Sequence, residues 1–133
     1  MPYANNFKSL LIHKMKNFPQ HYKEMVALMQ EMGGEIPETM QGFHKLHKAA
    51  IATGSLTTQT KELIALGIAI AVHCDGCIAF HVHDALNAGA TKADILETIG
   101  VAIMMGGGPS LMYGCEAMEA LKQFEEKNKL ALV

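Results

Sequence analysis

The stretch Glu62–Asp84, ELIALGIAIAVHCDGCIAFHVHD, decides how this chain is read. Its first half, Leu63 to Val72, is an unbroken apolar run, and its second half carries Cys74-x-x-Cys77 followed by His81 and His83. A run rich in Ile and Val could be a buried strand. From Thr58, however, about 15 residues pass without a turn signal before His73, and Ala and Leu are abundant, so the pattern predicts a helix with Thr57 as its N-cap. A helix apolar on every side is central to a fold or to an assembly. Glu62, at its start, is either a charge favoured by the helix dipole or a carboxylate aimed into a site.

Asp75-Gly76 breaks this pattern, and a following helix places Ile78, Val82, Ala85 and Leu86 inward, with Gly89 past its end. Cys74 and Cys77 then sit three apart at a helix start, where unpaired backbone N–H groups stabilise a thiolate. His81 stands four residues after Cys77, one turn on along the same face, and can take or relay its proton. By that geometry Cys77 is the attacking thiolate and Cys74 the resolving thiol; dipole position alone argues the reverse. His83 lies about 200° round the helix from His81 and points elsewhere; it and His73 are read as structural. Glu62 precedes Cys74 by roughly 18 Å of helix and cannot touch it directly; if the two helices pack antiparallel, His81 folds back toward Glu62, and a water or a helix irregularity could complete a Glu to His to Cys relay.

The same residues could bind zinc: Cys74, Cys77 and His81, with Asp75, His83 or Cys115 as a fourth ligand. A second ligand pair at metal-site spacing is missing, so redox chemistry is the reading taken, with no metal and no cofactor. The remaining alternative is that the cysteines are purely structural.

Composition narrows the classes. A chain of 133 residues fits one domain and can bury a sizeable core. Half of it is hydrophobic, only 18% is charged, and there are ten Met and no Trp, a surplus that suggests burial between subunits as well as within one. A net charge of −2 gives no basic footprint for nucleic acid and no polybasic membrane patch. The longest apolar run is short of the roughly 20 residues of a membrane span, and the N-terminus has no signal-peptide core. The expectation is a soluble, cytoplasmic protein, and in that reducing compartment three cysteines are not a structural framework.

Outward from the central stretch the pattern stays helical. Phe7, Leu10, Leu11 and Met15 share a face of a short helix that stops before Pro19. Tyr22, Met25, Val26, Met29 and Met32 form a stripe expected in the core or an interface, ended by Gly33-Gly34. After Pro37, Met40, Phe43, Leu46, His47, Ala50 and Ile51 point inward, and Gly54 ends that helix. His44 and His47 could share a face and ligate a metal, but with no acidic or thiol companion nearby they read as a partly exposed pair beside Lys45 and Lys48. Thr91-x-x-Asp94 is a variant capping box opening a helix with Ile95, Ile99, Ala102 and Ile103 inward. Gly106-Gly107-Gly108-Pro109 could cradle an anion, yet lacks the Lys-Ser/Thr of a phosphate loop and reads as a tight helix connection. The last helix aligns Leu111, Cys115, Met118, Leu121 and Phe124 inward and ends in a charged tail that frays. No strand pattern, repeat or linker is visible, so the fold class is all-α, with six to seven helices.

Glu62, Cys74-Asp-Gly-Cys77 and His81, spaced E-x11-C-x2-C-x3-H and followed by the AL-x-AGAT element, resemble the carboxymuconolactone decarboxylase superfamily, in particular its alkylhydroperoxidase D-like branch. The similarity runs from Thr60 to Ile103. It implies an all-helical fold assembling as a homo-oligomer, a trimer or hexamer. It also implies a thiol-dependent peroxidase whose partners are a hydroperoxide substrate and a dithiol or protein-disulfide electron donor. Carried over by position, Cys77 attacks the peroxide, Cys74 is its disulfide partner, and Glu62 and His81 relay protons. Gly76 stands where the better studied peroxidases of that branch have a histidine, which implies a weaker relay. The superfamily's decarboxylases lack the cysteine pair, so decarboxylation is not expected. The other readings are a general thiol-disulfide oxidoreductase and a non-catalytic helical binding protein.

Overall fold

A computed structural model describes residues 16–132, and the helix expected around Phe7 to Met15 lies outside them. Among the described residues are six helices and no strand: α1 Phe18–Glu35, α2 Pro37–Ile51, α3 Thr58–Ala71, α4 Asp75–Asn87, α5 Lys92–Gly106 and α6 Gly108–Ala131. The all-α expectation holds. No described helix is long and apolar enough to cross a membrane.

Local signals set most boundaries. Thr57 caps α3 by accepting from the Thr60 N–H at 3.1 Å. Thr91 and Asp94 form the expected reciprocal box, at 3.1 Å and 2.8 Å, which satisfies two of the orphan N–H groups of α5. Gly107, at φ 70°, makes the sharp turn between α5 and α6 that a side chain would oppose. Three boundaries depart from expectation, the first being that α1 runs through Gly33-Gly34 and ends only at Glu35. Neither glycine adopts positive φ, and the stop comes instead from Pro37, which disfavours helix at Ile36. Gly54 likewise has no left-handed φ, and α2 ends earlier, at Ile51. The break before α4 also comes earlier than Asp75-Gly76, at His73, which takes φ 61°.

α3 and α4 form a hairpin that packs against α5 and α6, and α1 lies across α4 and α6. The core between them holds Phe18, Leu66, Ile70, Ile78, Val82, Ile95, Leu121 and Phe124. Gln123 ties α1 to this core: its Oε1 accepts from the Phe18 N–H at 2.7 Å and its Nε2 donates to the Lys16 carbonyl at 3.0 Å.

Two helices differ from their expected packing. α2 buries none of its residues, and Phe43 and Leu46 are exposed. It rests on α1 and touches α3 without entering the core. In α6 the buried positions are Ser110, Gly114, Ala117, Ala120, Leu121 and Phe124, whereas Leu111, Cys115 and Met118 are exposed. Gly114 explains the rotation, because a Cβ there would lie 3.0 Å from Ile99 Cγ2. Close approach to α5 selects the small-residue face, and the larger apolar side chains are left outside. The tail remains helical to Ala131.

α3 itself is apolar all round but only half covered. Glu62, Leu66, Ala69 and Ile70 are buried, while Ile64, Ile68 and Val72 face outward. Ile64 and Ile68, with Val101 and Met105 of α5, line an apolar groove of about 400 Å³.

Candidate functional site

The turn between α3 and α4 builds the site. After Val72 the chain passes through His73 in the left-handed region, a conformation that costs a non-glycine residue about 1 kcal/mol or more and persists only where its surroundings hold it. The His73 ring stacks on Tyr113 at 4.6 Å, and the Cys74 N–H returns to the Ala69 carbonyl at 3.0 Å. Cys74 thereby becomes the N-cap of α4, its Sγ accepting from the Cys77 N–H at 3.3 Å. The two cysteines are joined as a disulfide with Cα atoms 5.2 Å apart. Both sulfur residues are half-buried, and Cys77 packs against the core.

The hairpin then folds α4 back along α3. His81 Nδ1 lies 2.7 Å from Glu62 Oε2, and Glu62 is only 3% exposed. The antiparallel return that the sequence required thus brings Glu62 to His81 directly, with no water needed. Against an ionised carboxylate, which only accepts, Nδ1 carries the hydrogen and Nε2 is left without one. His83 points elsewhere, as expected. Its Nδ1 donates to Asp84 Oδ1 at 2.8 Å, and its ring stacks on Tyr22 at 4.1 Å. Burial, followed by the negative charge of Asp84, raises the Tyr22 phenol above its ordinary value. Of the fourth zinc ligands considered, Asp75 bonds Lys16 at 2.6 Å, His83 bonds Asp84, and Cys115 is exposed on α6.

Cys74, Cys77 and His81 open on a cavity of about 350 Å³. Met25 and Met29 of α1 and Met40 and Phe43 of α2 form its facing wall. Of the expected stripe, Met25 and Met29 line the cavity, Tyr22 packs against the core and Met32 is exposed; of the face expected inward on α2, Met40, Phe43 and His47 line the cavity and Leu46 is exposed. Flexible, polarisable thioethers suit a wall that accommodates apolar groups of varied shape.

His44 and His47 are exposed, as expected, but they too line this cavity. His47 also lies near acids, because ligand atoms of His47, Glu62 and Asp84 are all within 4.8 Å of one another. The sequence reading missed this group because its members stand on three helices and no spacing connects them.

The carboxymuconolactone decarboxylase family profile matches residues 37–120. An uncharacterized protein of Cupriavidus necator is 40% identical over 97 residues, covering 73% of this chain and 83% of its own. The crystal structure of a carboxymuconolactone decarboxylase family protein from Legionella pneumophila is similar with TM-score 0.78 and 45% identity, over 80% of this chain and 96% of that one. A Thermotoga maritima family member, described as a candidate for involvement in an antioxidative response, gives TM-score 0.65 and 28% identity over 68% of this chain and 94% of that one.

Proposed function

The chain belongs to the carboxymuconolactone decarboxylase family, and we propose that within it this protein is a thiol-dependent peroxidase that reduces hydroperoxides through a Cys74–Cys77 disulfide cycle. The observation that carries the reading is the buried Glu62 carboxylate hydrogen-bonded to His81 beside a paired Cys-x-x-Cys at the floor of an apolar cavity. A structural cysteine pair has no need of an oriented imidazole. The likeness to a family member considered for an antioxidative response points the same way.

In the reduced protein the Cys77 proton passes to His81 Nε2, and Glu62 holds the ring and stabilises the imidazolium that forms. The Cys77 thiolate attacks the distal oxygen of the hydroperoxide. The O–O bond breaks, Cys77 becomes a sulfenic acid, and the departing alkoxide takes the proton from His81 and leaves as the alcohol. Cys74 then attacks the Cys77 sulfur, the S–S bond forms, and the sulfenic oxygen leaves as water. A dithiol, small or carried on a partner protein, in a reducing, cytoplasmic setting restores both thiols by exchange and is itself left as a disulfide. The uncovered flank of α3 supports the assembly of copies into a trimer or hexamer.

A second reading, thiol-disulfide oxidoreductase with weak peroxidase activity, is favoured by one contact. Cys74 Sγ occupies the N-cap position and accepts from the Cys77 N–H, which stabilises negative charge on Cys74 in the dithiol form. The test is turnover of an organic hydroperoxide with a dithiol donor. The peroxidase reading expects turnover in the wild type and none in Cys77→Ser or Cys74→Ser. No turnover with any dithiol, combined with rapid reduction of a model disulfide, would replace it with the second.

A further inference from the structure

We propose that His47, Glu62 and Asp84 form a binding site for one divalent first-row transition-metal ion of zinc's class, held by a nitrogen and two carboxylates and independent of the cysteines. The three side chains come from α2, α3 and α4, and their ligand atoms lie within 4.8 Å of one another. Two carboxylates brought this close repel each other, and a shared cation relieves that repulsion. Glu62 is buried, so its placement differs from the chance approach of exposed acids.

Each carboxylate also has a histidine hydrogen-bonded to it: His81 Nδ1 on Glu62 at 2.7 Å and His83 Nδ1 on Asp84 at 2.8 Å. Outer hydrogen bonds of this kind fix ligand orientation in metal centres. The imidazole selects zinc-like ions over calcium and magnesium, which take all-oxygen sets. Ligands of such an ion stand about 2.0–2.2 Å from it, and His47, exposed on α2, has room to turn toward the two carboxylates. His47, Asp84 and the cysteines line one cavity, which leaves the ion's remaining position open to a small ligand. An ion there shares Glu62 with His81 and makes that carboxylate a weaker proton acceptor.

The test is calorimetric titration of the oxidised wild-type protein with Zn²⁺, where the closed disulfide leaves neither Cys74 nor Cys77 to ligate. The expected result is one Zn²⁺ per chain. His47→Ala and Asp84→Asn should each weaken binding about tenfold or more, and His44→Ala should bind as the wild type does. Absence of saturable binding, or binding that either His47→Ala or Asp84→Asn leaves within about twofold, would overturn the site. Both substitutions preserve the fold, since His47 is exposed and Asn is nearly isosteric with Asp; circular dichroism verifies this. The readout is binding to the disulfide form, so its outcome is separate from that of the peroxidase assay.

Discussion

Replacing Glu62 by Gln isolates what the buried carboxylate contributes. Its Oε2 lies 2.7 Å from His81 Nδ1, and the residue is 3% exposed, so the bond is shielded from solvent screening. Gln has nearly the same volume and keeps a carbonyl acceptor, so the contact survives as a neutral hydrogen bond. A bond to a charged partner contributes about 1.5–3 kcal/mol and a neutral one about 0.5–1.5. The difference, roughly 1–2 kcal/mol, is lost when the imidazolium forms during proton transfer. With 1.4 kcal/mol per factor of ten, kcat/KM for an organic hydroperoxide should fall about 5- to 30-fold. The assay is steady-state hydroperoxide consumption with excess dithiol, run beside thermal unfolding, where Tm should move by only a few degrees. A Glu62→Gln protein with kcat/KM within twofold of wild type would refute the reasoning and leave Glu62 a structural acid.

Cys74→Ser should stop the cycle one step in, leaving a sulfenic acid on Cys77 that dimedone traps and mass spectrometry locates; trapping at Cys74 in Cys77→Ser alone would reverse the two roles. Gly114→Val should destabilise the fold by about 2 kcal/mol through overpacking against Ile99, since even a single Cβ comes within 3.0 Å of it; urea denaturation measures this, and an unchanged midpoint would contradict the packing account. Lys16, hydrogen-bonded to Asp75 at 2.6 Å, holds that carboxyl below the ordinary carboxylate range against an opposing contribution from burial. A depressed carboxyl adds stability above its unfolded pKa that is lost as pH falls through the folded one. Asp75→Asn should therefore cost under about 1 kcal/mol at neutral pH, because the pair is partly exposed, and the difference should vanish in acid; urea midpoints at the two pH values check it.

What the sequence made legible was local. Thr57, the Thr91–Asp94 box and the long apolar run needed no tertiary knowledge, because caps and propensity act within a few residues. Cys74, Cys77 and His81 were legible for the same reason, being neighbours along one helix. Glu62 was legible only as a condition on how α3 and α4 pack, and the 2.7 Å contact meets that condition. The face of α6 was misread because hydrophobicity favours Leu111 and Met118, whereas close packing favours Ser110, Gly114 and Ala117. Gly33-Gly34 looked like an exit, but glycine permits left-handed backbone without compelling it. His47 was legible only beside His44: its acidic companions lie 15 and 37 residues on in the chain, on other helices, where no spacing points to them.

If the proposed cycle operates, peroxide oxidises Cys74 and Cys77 together. Fully reduced protein, titrated with an organic hydroperoxide and then digested for disulfide mapping, tests it most directly. One Cys74–Cys77 bond should form for each peroxide consumed, with the Cys115 thiol unchanged. Peroxide consumption without that bond, or persistence of both thiols in excess peroxide, would contradict it.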